Sequence, residues 1–255
     1  MNALVVRPVR FTSQVPEMRR FLELIGLRPW LVSDRGGWAD LACAAGRVAL
    51  HDAATAESAV LPGQTTLGFE GADLDQLART LEEAGVPGVS VYDEAYGRVL
   101  TCRDPDGATI AVDEVPEDLY GYQVHGDPAA AAGLRVTPVK FTDPAGPYGG
   151  FLEALGLQAD GPVNPYYVKY LAGGGAQGQV GLHHLVGDEL PPAAGAGTAA
   201  VGLNFETDEQ LTDIAARLAD GGFSPGILDK AFGQLLGVTD PDGQLVQVHG
   251  PANPS

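Results

Sequence analysis

Arg7-Pro-Val-Arg-Phe-Thr12 returns as Thr137-Pro-Val-Lys-Phe-Thr142, and this pair of hexapeptides sets the reading of the whole chain. Working outward, Phe21-Leu-Glu-Leu-Ile-Gly-Leu27 returns as Phe151-Leu-Glu-Ala-Leu-Gly-Leu157, and Val48-Ala-Leu-His51 as Val180-Gly-Leu-His183. Asp104-Pro-Asp-Gly107 returns as Asp240-Pro-Asp-Gly243. The copies stand 130 residues apart at Gly26 and Gly156 and 136 apart at Asp104 and Asp240, so a few loop insertions account for the drift. A period this long marks a duplicated domain rather than a solenoid unit. Function can therefore be read by difference. Residues shared by both copies build the frame, and residues that differ mark where a site has specialised.

The length of 255 residues fits two domains of about 125 residues each. The expected division is a first domain over 1–116, a linker over 117–133 rich in Gly, Pro and Ala, and a second domain over 134–255. A net charge of −18, from 33 acids and 15 bases, excludes a phosphate-backbone partner, which needs a basic face. It would draw cationic small molecules, though salt screens that attraction beyond about 8–10 Å. No apolar run approaches the roughly 20 residues of a membrane span, so no membrane partner is expected. The start lacks a basic segment followed by an apolar stretch, and a cytoplasmic location is the expectation. Cys43 and Cys102 stand alone in apolar strand patterns, which argues for buried free thiols and against a thiolate zinc site.

Each half divides again. A strand over 3–12 leads to a helix over 15–24, marked by Met18, Phe21, Leu22 and Ile25 and stopped by Gly26. Strands follow over 30–33, 38–44 and 47–53, the last two joined by a tight turn at Ala45-Gly46. The order restarts with a strand over 65–70, a helix over 73–84 with the stripe Leu74, Leu77 and Leu81, and strands over 90–92, 98–103 and 108–114. Asp104-Pro-Asp-Gly107 reads as a turn, Pro presetting φ and Gly admitting φ > 0. The second half repeats the scheme with helices over 147–154 and 209–219. The formula is βαβββ four times over, an α+β fold. One helix covers one face of each sheet, so the other face must pack or line a cavity.

Paired βαβββ units, a helix ending Phe-x-x-x-(Ile/Leu)-Gly-Leu and an Asp-Pro-Asp-Gly hairpin before the last strand resemble the vicinal oxygen chelate superfamily. That group includes glyoxalase, the bleomycin-resistance proteins and the extradiol dioxygenases. The resemblance covers the whole chain as two tandem domains, with curled mixed sheets enclosing ligand troughs. It implies an intrachain pseudo-dimer, and the choice between monomer and homodimer stays open. It also implies a divalent metal held by His, Glu or Gln. The matching positions here are Val6, Ala49, Thr66 and Ala111, then Val136, Gly181, Gly202 and Gln247. Of these only Gln247 is a plausible ligand, and one ligand does not hold an ion. Strand neighbours on the same face admit shifted sets, His51 with Glu70, or His183 with His249 and Glu206. Arg10 and Lys140 nearby count against both, since a cation repels a metal.

The expectation is thus a protein without metal or other cofactor, binding an organic small molecule in a trough. A cationic or aromatic antibiotic or natural product, held by sequestration, suits the resemblance. The alternatives are a metal-dependent lyase, isomerase or dioxygenase-like enzyme, or a metal-free enzyme of natural-product metabolism. Candidate contacts are Arg10, Trp38, His51, Glu70, Lys140, Tyr167, His183, Asn204, Gln247 and His249, with no catalytic residue assigned. Trp38 and Tyr167 occupy equivalent places and offer large, rigid contact area. Tyr96 and Phe232 precede equivalent glycines in both copies, which suggests a role in the frame. Tyr166-Tyr167 has no aromatic pair in the first half, where Gly37-Trp38 stands, so the two troughs differ chemically.

Overall fold

A computed structural model describes residues 4–56, 60–94, 97–115, 119–125, 133–184, 201–230 and 233–251. Tyr96 and Phe232 lie outside the described residues. The helices are α1 (Val15–Ile25), α2 (Leu74–Glu83), α3 (Tyr148–Ala154) and α4 (Leu211–Asp220). In α1, Pro16 sits in the first turn, where its missing N–H costs nothing. Val15, Met18, Phe21, Leu22 and Ile25 form its buried stripe, and Gly26 at φ 133° ends it. In α2, the Asp73 carboxylate caps the first turn by accepting from the Gln76 N–H, and Leu74, Leu77 and Leu81 are buried.

Each helix lies on a curled sheet, and the four sheets follow the fourfold repeat. The first sheet runs Tyr122–Val124, Arg28–Ser33, Trp38–Ala42, Arg47–Asp52, Val9–Thr12, Thr65–Thr66. The second runs Val5–Val6, Gly68–Gly71, Thr109–Glu114, Gly97–Arg103, Ser90–Glu94. The third (Gln158–Ala159, Tyr167–Leu171, Gln179–His183, Val139–Phe141, Val201–Gly202) and the fourth (Arg135–Val136, Asn204–Glu206, Leu245–His249, Gly233–Thr239, Gly226–Lys230) repeat this order. The strand expected over 3–12 is two strands. Pro8 cannot donate to a ladder, so the chain breaks at Arg7-Pro8 and passes from the second sheet into the first. Thr137-Pro138 does the same between the fourth and third sheets. Part of the stretch expected as a linker, Tyr122–Val124, is an edge strand on Arg28–Ser33.

Alternation sends Val48 and Leu50 under α1 and leaves Arg47, Ala49 and His51 on the concave face, and the third sheet treats Gln179, Gly181 and His183 likewise. The two sheets of a half meet at the broken strands, so each half forms one trough. The helix faces of the two halves pack on each other. Phe21 of α1 meets Phe223 edge-on at 4.9 Å, and the Arg217 guanidinium of α4 donates to the Leu24 carbonyl at 3.0 Å. Hairpins cross reciprocally. The Val6 N–H donates to the Gln177 carbonyl (2.8 Å) and the Val136 N–H to the Ala45 carbonyl (2.9 Å).

Candidate functional site

The register of the strands fixes which residues face each trough and which correspond between halves. The Arg7 N–H donates to the Gly68 carbonyl and the Thr137 N–H to the Asn204 carbonyl, both at 2.9 Å, so Arg7 and Thr137 are equivalent. Trp38 and Asp40 stand opposite His51 and Ala49, as Tyr167 and Lys169 stand opposite His183 and Gly181. Glu70 neighbours Asp113, as Glu206 neighbours His249. Arg47 corresponds in the same way to Gln179.

The first trough is filled by its own side chains. The Arg7 guanidinium donates to Asp40 at 2.7 Å and to Asp113, and lies over the Trp38 ring 5.3 Å from its centroid. Arg47 donates to both oxygens of Glu70 at 2.8 Å and stacks over Trp30 at 5.0 Å. Arg7, Asp40 and Glu70 are buried. Burial alone would pull the Arg7 pKa down, but Asp40, Asp113 and Glu70 outweigh it and hold the guanidinium charged. Burial pushes Asp40 and Glu70 above the usual carboxylate range, while Arg7 and Arg47 oppose the rise. A charge taken out of water needs such partners, since its unpaired burial costs several kcal/mol.

The second trough keeps the frame and loses the two arginines. Thr137 and Gln179 stand in their places and satisfy each other, the Gln179 amide donating to the Thr137 hydroxyl at 2.8 Å. Asp40 is replaced by Lys169, Asp113 by His249 and Trp38 by Tyr167. Lys169 reaches both Glu206 oxygens at 3.3 Å and Asp160 at 3.5 Å. The Tyr167 ring lies across Gly181, where any Cβ would come within 2.8 Å of it. Burial, with Glu206 and Asp160 adding, raises the Tyr167 pKa and keeps the phenol protonated. Burial lowers that of His249 from 6.5, with Glu206 opposing and Lys169 reinforcing. Asn204 and Gln247 lie side by side, amide to amide at 3.5 Å. Across the fourth sheet, Leu228, Leu235, His249 and Glu206 form one row, and Gly226, Gly237, Gln247 and Asn204 the next.

Both rims carry an aromatic cluster. Phe11 and Trp38 meet His51 at 5.6 and 5.4 Å, and Phe141 and Tyr167 meet His183 at 5.9 and 6.1 Å. His51 and His183 each hold Nδ1 against a neighbouring backbone carbonyl, at 2.8 and 2.7 Å, which makes Nδ1 the donor.

Arg10 and Lys140 are a correction to the sequence reading. Each alternates with a trough residue (Phe11, Phe141) and therefore faces the helix side, where it is buried. Arg10 pairs with Asp240, and Lys140 with Asp106 at 2.7 Å and Asp104 at 3.5 Å. They bind the two halves together rather than a ligand. Glu70 faces the trough but is held by Arg47. Trp38, His51, Tyr167, His183, Asn204, Gln247 and His249 all face a trough. Arg7, Asp40 and Lys169 escaped sequence reasoning. The signal was present, since Arg7 against Thr137 is the one radical change within the repeated hexapeptide.

The residues do not fit a divalent metal. Ala49, Thr66 and Ala111 in one trough, and Gly181, Gly202 and Gln247 in the other, leave too few donors. The shifted sets fail too, because Arg47 engages Glu70 and Lys169 engages Glu206. Among the described residues no group of three or more His, Cys, Asp or Glu is arranged to hold an ion.

No family model matches the sequence, and no curated protein matches it. Solved structures do match in fold. A catechol 2,3-dioxygenase superposes with a TM-score of 0.60 at 15% identity, over 98% of this chain and 88% of the other. A variant of 4-hydroxymandelate synthase from Streptomyces coelicolor gives 0.62 at 13% identity, over 100% and 94%. The Mn(II)-bound glyoxalase from Novosphingobium aromaticivorans gives 0.60 at 13% identity, over 99% and 82%. The chain shares the fold of these structures, built here from four βαβββ modules. Among the described residues no helix is long and apolar enough to cross a membrane.

Proposed function

We propose that the protein binds an organic small molecule in the second trough, without a resident metal, and that the first trough is a self-filled structural half. The observation that carries this is the exchange of two buried arginines, Arg7 and Arg47, for the shorter Thr137 and Gln179. The exchange removes the side chains that plug the first trough. What remains is a partly exposed surface of Tyr167, Lys169, Phe141, His183, Gln247 and His249 facing Leu228 and Leu235. An apolar wall with a few convergent polar groups is the usual make-up of a ligand site. Sequestration of an aromatic natural product or antibiotic suits such a surface.

The test is a thermal-shift and calorimetric screen of aromatic compounds on the wild type, Tyr167→Ala and Trp38→Ala. A ligand present at about 100 times its Kd stabilises the native state by about 2.7 kcal/mol. The expected result is binding that Tyr167→Ala abolishes and Trp38→Ala spares. Stoichiometric transition metal in protein purified without chelators, lost on substituting His183 or His249, would overturn the reading. A metal-free enzyme is the second reading, favoured by one observation. His249, held neutral by burial, is a base facing the same trough. Chemical conversion of a bound compound, lost in His249→Gln, would establish it.

A further inference from the structure

Contacts between the halves come in reciprocal pairs, Val6 to Gln177 with Val136 to Ala45, and Arg10–Asp240 with Lys140–Asp104. The packing of α1 on α4 therefore has a counterpart where α3 faces α2. On the α1–α4 side three devices close the crevice. The Arg217 guanidinium is held by Glu209 and donates to the Leu24 and Ile25 carbonyls, at 3.0 and 3.3 Å, covering the end of α1. Gly221 admits the Leu24 side chain, since any Cβ there would lie 2.3 Å from it. Phe223 packs edge-on against Phe21. Aligned on the buried Leu211 and Leu74, the other half has Thr80 for Arg217, Ala72 for Glu209, Ala84 for Gly221 and Val86 for Phe223. None of the three devices survives there, and α3 runs 7 residues against 11 in α1.

A groove of about 350 Å³ stands open between α2 and α3, within the roughly 300–1,000 Å³ of ligand pockets. Leu4, Leu77, Leu155 and Leu171 give it an apolar floor, the first three buried. Asp73 is the one charged side chain in its lining among the described residues. One Asp73 oxygen accepts from the Gln76 N–H at 2.9 Å, which leaves the second for another donor. The Thr80 hydroxyl turns back to the Gln76 carbonyl at 3.0 Å and so replaces none of the bonds that Arg217 makes. Among the described residues no side chain donates to the Ala154 or Leu155 carbonyl, the counterparts of Leu24 and Ile25. Cations suit the last turn of a helix, where carbonyls lack partners. We propose that this groove is a binding site for an organic cation, separate from both troughs. Its amidinium, guanidinium or ammonium head takes the place that Arg217 holds in the other half, between Asp73 and the end of α3. Its apolar body lies on the four leucines. The chain's net charge of −18 draws such a ligand in.

Naphthamidine and naphthamide share one apolar body and differ in charge, so calorimetric titration of the pair isolates the cationic head. Naphthamidine is expected to bind about tenfold tighter, the discrimination a single charged hydrogen bond provides. Asp73→Asn should erase that preference and leave naphthamide affinity within about twofold, because Asn caps a helix as well as Asp does. Ala72→Glu/Thr80→Arg, which rebuilds the closure of the other half at exposed and half-buried positions, should abolish binding of both while keeping the wild-type melting temperature. Tyr167→Ala should leave both affinities unchanged, since the groove lies on the helix side. Equal binding of the two probes, or no loss in Asp73→Asn, would overturn the cation assignment. Binding lost in Tyr167→Ala would place the probe in the trough and overturn the groove as its site. Binding of neither probe overturns the proposal as well. So does binding seen only after deletion of residues 1–3, which would make the chain's own start the occupant. Dimerisation abolished by Ala72→Glu/Thr80→Arg would likewise overturn it in favour of a second copy.

Discussion

Arg7 shows how one side chain decides what a trough can hold. Its burial is tolerable only because Asp40 and Asp113 meet it, and removing it strands both carboxylates with Glu70 nearby. Arg7→Ala should therefore cost about 3–5 kcal/mol in urea unfolding, the usual loss when one partner of a buried pair is deleted. Thr137→Ala, which breaks one neutral hydrogen bond, should cost about 0.5–1.5 kcal/mol. A cost for Arg7→Ala no larger than that for Thr137→Ala would refute the self-filled first trough. His249 carries a pH signature. Its pKa is lowered in the fold, so below 6.5 the unfolded chain binds more protons than the folded one. Its contribution to stability is full above 6.5 and is lost as pH falls through the folded value. Melting curves across that window should flatten in His249→Gln relative to the wild type. An unchanged slope would mean the ring is not desolvated.

The Asp-Pro-Asp-Gly loops are the elements whose role exceeds their sequence reading. Asp104 uses one oxygen to accept from the Asp106 and Ala108 N–H groups, at 3.0 and 2.7 Å, folding its own turn. The other accepts from the Tyr148 hydroxyl at 2.9 Å and faces Lys140, both in the opposite half. Asp240 divides its oxygens the same way, with Asp242 and Gln244 on one side and Arg10 on the other. Turn chemistry alone explains Pro and Gly, while the first Asp also serves as an anchor. Asp240→Ala should thus cost about 3–5 kcal/mol by leaving Arg10 buried and unpaired. Arg10→Met/Asp240→Leu should recover most of that loss. Asp106→Ala removes the half-exposed partner of the buried Lys140 but leaves it Asp104, and should cost about 1–3 kcal/mol, less than Asp240→Ala. Equal effects at Asp106 and Asp240 would contradict the division of labour.

At the scale of the whole molecule, the halves are joined by buried charge as well as by apolar packing. Arg10–Asp240 and Lys140–Asp104 cross between them, and α1 packs on α4. Such coupling predicts one calorimetric transition, with van't Hoff and calorimetric enthalpies equal. Cutting both ties in Arg10→Ala/Lys140→Ala should split that transition or lower it as a unit. Two well-separated transitions in the wild type would show that the halves unfold independently. The same duplication left buried arginines in one trough and the shorter Thr137 and Gln179 in the other.

The amino-acid sequence by itself determined the duplication, the four βαβββ modules, and the helices and their stripes. Those features are local or periodic, and a strand's period of two reveals its faces without reference to neighbours. It also singled out Trp38, Tyr167, His183 and Gln247 as residues on the concave side. Only the tertiary structure decided what each face meets. Arg10 and Lys140 read as trough residues until pairing between the two halves set them against Asp240 and Asp104. Arg7 read as an ordinary strand residue until the break at Pro8 carried it between two sheets, against Asp40 and Asp113. Charge complementarity between distant segments has no local pattern, and it is what distinguishes the two troughs.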